Sequence, residues 1–166
     1  MIRYPVERIK YCKTVGKTRV ENIAEILRSL EGFDVTIKEP EAHDVDMWVF
    51  NEAQLIQVIE VLNWKRESYL SFKRTMSIIE NLNASSYFGL NKLLVFSFWE
   101  NIRNQTVFFE DLGIDFLEIG FQTQPISYYI WFFSRGSASG MRPNHCTTKD
   151  IVRRKLVAYL GEKNLI

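Results

Sequence analysis

Two acids in one short stretch, Asp46 and Glu60, are the residues of this chain best placed to do chemistry. Each lies inside an apolar run, Asp44 to Asn51 and Leu55 to Leu62, with a short polar break between the runs. The runs are too short for helices and rich in Val, Ile, Phe, Trp and Met, so they predict a β-hairpin. The second run is apolar at odd and even positions alike, the pattern of a central strand covered on both faces. Glu60 is therefore an acid in a core strand, and an acid there needs a partner. Register decides what it meets. If Glu52, Ala53 and Gln54 form a three-residue loop, Asn51 pairs with Leu55 and Asp46 falls opposite Glu60, with Cβ atoms roughly 4.5–5.5 Å apart. A two-residue loop would put the acids on opposite faces instead, and the hydrophobic pattern allows either. Two carboxylates that close repel unless a cation lies between them, and oxygen ligands of this kind suit Mg²⁺ or Mn²⁺.

The elements around the hairpin alternate between the two periodicities. Thr18-Arg19-Val20-Glu21 has the form of a capping box, and Val20, Ile23, Ile26, Leu27 and Leu30 recur at helical spacing until Gly32. Phe33 to Lys38 is a short strand ended by Pro40. After the hairpin, Tyr69, Phe72, Met76, Ile79 and Leu82 form one stripe of a second helix beginning near Arg66. Leu93 to Trp99 is a further buried strand, and the order so far is α-β-β-β-α-β, an α/β arrangement with helices covering a sheet. A helix over 104–112, strands at 116–121 and 126–133, and a last helix capped by Thr147 follow. The whole is expected to be one domain over 1–166, with a core at about 18–100 and a C-terminal elaboration at about 101–166.

Composition bounds the partners. The chain has 166 residues, 46% hydrophobic and 25% charged, with a net charge of +1, so any polyanion must be met by a local patch. Its longest apolar stretches fall far below the roughly 20 residues that span a bilayer, and no signal peptide is evident, so an intracellular protein without membrane contact is expected. Cys12 and Cys146 are too few for a disulfide framework, His43 and His145 are isolated, and Gly16-Lys17-Thr18 lacks the first glycine of a phosphate loop.

With these residues in hand, the chain resembles the PD-(D/E)xK nuclease superfamily, most closely its archaeal Holliday junction resolvase-like branch. The resemblance rests on Glu21 and Gly32-Phe33, on Val45-Asp46-Met47-Trp48-Val49, and on Ile59-Glu60-Val61-Leu62, and it covers residues 18 to 100. It implies a restriction-endonuclease-like α-β-β-β-α-β core with a mixed central sheet, to which this chain adds C-terminal strands and a helix. It further implies a metal-dependent endonuclease acting on DNA, branched DNA included, with Glu21, Asp46 and Glu60 as the acidic site. Asp46, Glu60 and the Val61 carbonyl would hold Mg²⁺ or Mn²⁺. One position departs from the pattern: Leu62 stands where the family has its catalytic lysine, on the same strand face as Glu60. Lys65, then Lys73, then Lys38 are the candidates to replace it, each also readable as a solvated surface cation. Glu21 equally completes the capping box, and Asp44 could serve as a further ligand or as a loop acid. Lys17, Arg19, Arg66, Lys73, Arg74, Arg142, Arg153 and Arg154 are the candidate phosphate contacts. The resemblance to dimeric resolvases implies a homodimer, for which Tyr128 to Phe133 is a candidate surface. A nuclease fold that has lost catalysis and only binds nucleic acid or assembles with partners is the alternative reading.

Overall fold

The hairpin forms, and it is tighter than a three-residue loop allows. A computed structural model describes residues 19–39, 44–120 and 149–166. Strand β1 (Phe33–Ile37) pairs antiparallel with β2 (Met47–Asn51), which turns back into β3 (Gln54–Leu62). Asn51 pairs with Gln54, so the loop is the two residues Glu52 and Ala53, and both adopt positive φ (48° and 66°) as a two-residue type I′ turn requires. That register alone would separate the acids. A bulge between Val49 and Phe50 leaves Ile56 as the extra residue on β3 and restores the pairing Met47 with Ile59. Asp46 lies just before β2, where its N–H donates to the Ile59 carbonyl (3.1 Å) and its carboxyl hydrogen-bonds that of Glu60. A bulge of this kind re-aims every side chain beyond it.

Strand β4 (Asn91–Phe96) lies parallel to β3, and β5 (Asp115–Glu118) parallel to β4. The sheet is therefore mixed and five-stranded, in the order β1-β2-β3-β4-β5. Helix α1 covers residues 19–28; α2 is Phe72–Leu82, α3 Trp99–Ile102, α4 Thr106–Asp111 and α5 Lys149–Glu162. The architecture is α/β, and the elements follow the expected order α-β-β-β-α-β before the C-terminal additions. Among the described residues no helix is long and apolar enough to cross a membrane.

Two cores flank the sheet. Ile23, Ile26 and Leu27 of α1 and Val152 and Leu156 of α5 pack on Val35, Met47, Val49, Ile59, Leu93 and Val95. On the other face, Ile78 and Leu82 of α2, Ile102 of α3 and Phe109 of α4 pack on Val58, Leu62, Leu94 and Phe96. Alternation along β3 then fixes the site's face: Val58, Glu60 and Leu62 point to the α2 side, Ile59 to the α1 side.

Several boundaries differ from the sequence reading for identifiable reasons. Helix α2 begins at Phe72, not near residue 66, because Ser71 caps it by accepting from Arg74 N. The preceding segment is instead tied down by Asn101, which donates to the carbonyls of Lys65 (2.7 Å) and Ser68 (2.6 Å). The buried face of α2 is Thr75, Ile78 and Leu82, so Tyr69 and Phe72, placed in the apolar stripe by spacing, are exposed. Trp99 opens α3 instead of closing β4. The strand expected at 126–133, the Thr147 cap, both histidines and both cysteines lie outside the described residues.

Candidate functional site

Asp46 is held by backbone on three sides. Its N–H donates to the Ile59 carbonyl (3.1 Å), its carbonyl accepts from Lys38 N (2.9 Å), and its Oδ2 accepts from Val61 N (2.7 Å). A strand residue points its N–H and C=O to the same side, so the Val61 carbonyl also faces the end of β2 where Asp46 sits. Glu60 is only 4% exposed, and its Oε1 has no hydrogen-bond partner.

Burial and proximity act together on this pair. Burial first, then the neighbouring Asp46 charge, push the Glu60 carboxyl up to about 9, while Arg74 and the Asn81 amide pull the other way. Asp46 is also raised, chiefly by burial, against the opposing effects of the Val61 N–H, the Glu60 hydrogen bond and Arg74. At neutral pH Glu60 therefore carries a proton and shares it with the Asp46 carboxylate. Two adjacent carboxylates in a dry site cannot both ionise without a cation to hold them apart.

A rim of polar contacts surrounds the pair. Asn81 Nδ2 donates to the Asp44 carbonyl (3.4 Å). The Asp44 carboxylate is already engaged by Val45 N (2.7 Å), by the Tyr87 hydroxyl and by Lys38 Nζ (3.9 Å). Tyr87 in turn accepts from Trp48 Nε1 (2.9 Å), and its phenol is pushed up to about 12 by burial and by Asp44. Asp44 is thus a structural anchor of the strand entry. Lys38, whose Nζ lies 3.7 Å from the Trp48 ring centroid, belongs to this rim.

Of the residues singled out from sequence, the structure brings together Asp46, Glu60 and Val61, with Arg74 as a cation acting on both carboxylates. Lys73 is exposed beside Arg74, and Lys65 lies half-buried just past β3. Arg66 pairs with Glu100 (2.8 Å) and stacks over Phe98. Leu62 is 2% exposed and packed in the α2-side core. Glu21 is exposed on α1, the helix of the opposite sheet face, and so is not brought to the pair. Arg153 and Arg154 lie on α5, also on that far face, and Arg153 donates to Ser29 Oγ (2.8 Å). Arg19 is corrected: it is fully buried, donates to the Gly120 carbonyl (3.1 Å), and is pushed down to about 9 by that burial, so it presents no surface charge to a phosphate. Lys17, Arg142 and the Tyr128 to Phe133 segment lie outside the described residues.

Sequence reasoning gave Asn81 no role. The signal was available, since Asn81 is seven residues from Arg74 and shares its helix face.

Can this donor set hold a cation? Among the described residues no three His, Cys, Asp or Glu side chains come together, so the side-chain share is two carboxylates. Mg²⁺ is commonly bound through one or two carboxylates while keeping several waters, and the unpartnered Glu60 Oε1 leaves a lone pair for that use. The set fits a hard divalent ion. No protein-family model, curated protein or solved structure matches this chain.

Proposed function

We propose that this chain is a restriction-endonuclease-like, divalent-metal-dependent endonuclease that hydrolyses DNA phosphodiester bonds, with branched DNA the first substrate to try. The observation that carries this reading is the Asp46–Glu60 carboxyl pair, in hydrogen-bond contact between the entry to β2 and the body of β3, with an oxygen of the buried Glu60 left unpartnered. Asp46, Glu60 and the Val61 carbonyl would hold Mg²⁺ or Mn²⁺. Such an ion, once bound, supplies Lewis acidity to the scissile phosphate. The protein's own part is to keep the two carboxylates dry and fixed, through the Val61 N–H on Asp46 and through burial of Glu60. Arg74 takes the charge-compensating role that Leu62 cannot fill, because its field already reaches both acids.

The test is incubation with Mg²⁺ or Mn²⁺ and four-way junction, flap, duplex and single-stranded DNA. Cleavage by the wild type is expected, with loss of at least about a hundredfold in Asp46→Ala and Glu60→Ala. Arg74→Ala should lose about tenfold to a hundredfold, and Arg74→Lys should recover part of it. Absence of cleavage on every substrate with either metal overturns the reading. A second reading, a nuclease fold kept for binding alone, is favoured by Leu62, whose burial in the core leaves no ammonium on the Glu60 face of the strand. DNA that is shifted but never cut would establish it.

A further inference from the structure

We propose that the loop before α2 and the first turn of that helix form a stacking platform for single-stranded nucleic acid, which leads an unpaired strand toward the acid pair. This rests on the nuclease reading only for its last clause, since the platform can bind whether or not the pair cuts.

Exposed rings are the first observation. Tyr69 is 70% exposed and Phe72 60%, although spacing placed both in a buried stripe. Phe72 meets Phe108 edge to face at 5.7 Å, which holds its ring while leaving most of it bare. Free rings of this kind cost solvation, and a π-face of any base covers them without sequence preference.

The platform is also held still. Asn101, 1% exposed, donates to the carbonyls of Lys65 and Ser68 and accepts from Leu70 N (2.8 Å), so the backbone on both sides of Tyr69 is fixed to α3. Rings presented on a braced loop lose little entropy when a partner covers them.

Charge identifies that partner. Between residues 64 and 79 the chain carries four cations, Lys65, Arg66, Lys73 and Arg74, against one carboxylate, Glu67, with Arg66 paired to Glu100 on α3. Lys73 and Arg74 are both exposed and sit in the first turn of α2, which contains no acid. The macrodipole is positive there, so cations in that turn oppose helix stability and acids would favour it. A positive turn without an acid of its own, beside bare aromatic rings, is complementary to phosphates joined to bases. The same helix carries Asn81 to the Asp44 carbonyl at the rim of the acid pair, so a strand laid on Tyr69 and Phe72 has α2 as its path to the carboxylates. Duplex DNA hides its base faces and would gain only the charge.

The experiment is fluorescence anisotropy of the full chain in EDTA, with a labelled oligothymidylate of about 20 nucleotides and a duplex of the same length. Single strand should bind at least about fivefold more tightly than duplex, and Tyr69→Ser should weaken single-strand binding by about tenfold while changing duplex binding less than about twofold. Tyr69→Trp, which keeps a ring, should restore it. Unchanged single-strand affinity in Tyr69→Ser, equal affinity for duplex, or no binding at all would overturn the platform. Because EDTA removes cleavage from the measurement, the two readings fail separately. Single-strand affinity that does not depend on Tyr69, beside cutting that depends on Asp46 and Glu60, would sink the platform alone; single-strand binding that depends on Tyr69 without cutting in Mg²⁺ would sink the nuclease alone.

Discussion

Glu60 is held in its protonated form by its surroundings, and that has a consequence for stability. Burial and the Asp46 charge raise its carboxyl from the ordinary 4.5 to about 9. Between those values the folded chain keeps a proton that the unfolded chain has lost. Stability contributed by this group is therefore complete below about pH 4.5 and declines as pH rises toward 9. Glu60→Gln keeps the shape and removes the charge, so the variant should melt at least about 5 °C above the wild type at pH 8 and lose that advantage near pH 5. Equal melting temperatures at both pH values would show that the carboxyl is not held protonated. If the pair binds Mn²⁺, the ion must displace that proton, so Mn²⁺ should raise the wild-type melting temperature more at pH 8 than at pH 6 and leave Glu60→Gln unmoved. Sequence made the acids themselves legible, because a glutamate inside Val58-Ile59-Glu60-Val61-Leu62 has few bland explanations. It misplaced Arg19, grouped with Lys17 as a candidate phosphate contact; the carbonyl its guanidinium reaches inside the fold, that of Gly120, is 101 positions away.

At the scale of elements, the hairpin is where local and long-range rules compete. Its apolar runs were legible from period and composition, whereas its register was not, because the two-residue turn and the bulge at Ile56 each shift pairing by one and neither is marked in the hydrophobic pattern. The turn bears a cost that the sequence carries openly. Ala53 has a Cβ and sits at φ 66°, and Glu52 at φ 48°, conformations that Asn and Gly adopt with less strain. The double substitution Glu52→Asn with Ala53→Gly should stabilise the fold by about 1 kcal/mol and leave the acid pair in place. Urea unfolding measures it, and a lowered midpoint would mean that the loop is not the two-residue turn. The sheet face of each helix was equally out of reach from sequence. Helical spacing says that one side of α1 is buried but not against which side of the sheet, and so Glu21 could be grouped with acids that lie across the sheet from it.

The whole molecule sets how tightly a polyanion can be held. With a net charge of +1, long-range attraction is weak, and the cations are divided between faces: Lys73 and Arg74 on α2, Arg153 and Arg154 on α5. Arg66 is already paired with Glu100, and Arg19 is buried. Among the described residues, a single strand lying along α2 therefore meets roughly two or three phosphate-neutralising groups, for which the logarithm of affinity should fall against the logarithm of salt with a slope of about −1.4 to −2. Such a slope leaves most of the binding free energy to ring stacking, which salt does not screen. The substitutions then separate the two contributions: Lys73→Gln should flatten the slope by about 0.7, and Tyr69→Ser should lower affinity at every salt concentration without changing the slope. A slope steeper than about −5 would require cations from both faces at once, which one strand on one face cannot recruit, and would mean that the polyanion wraps the sheet instead of following α2.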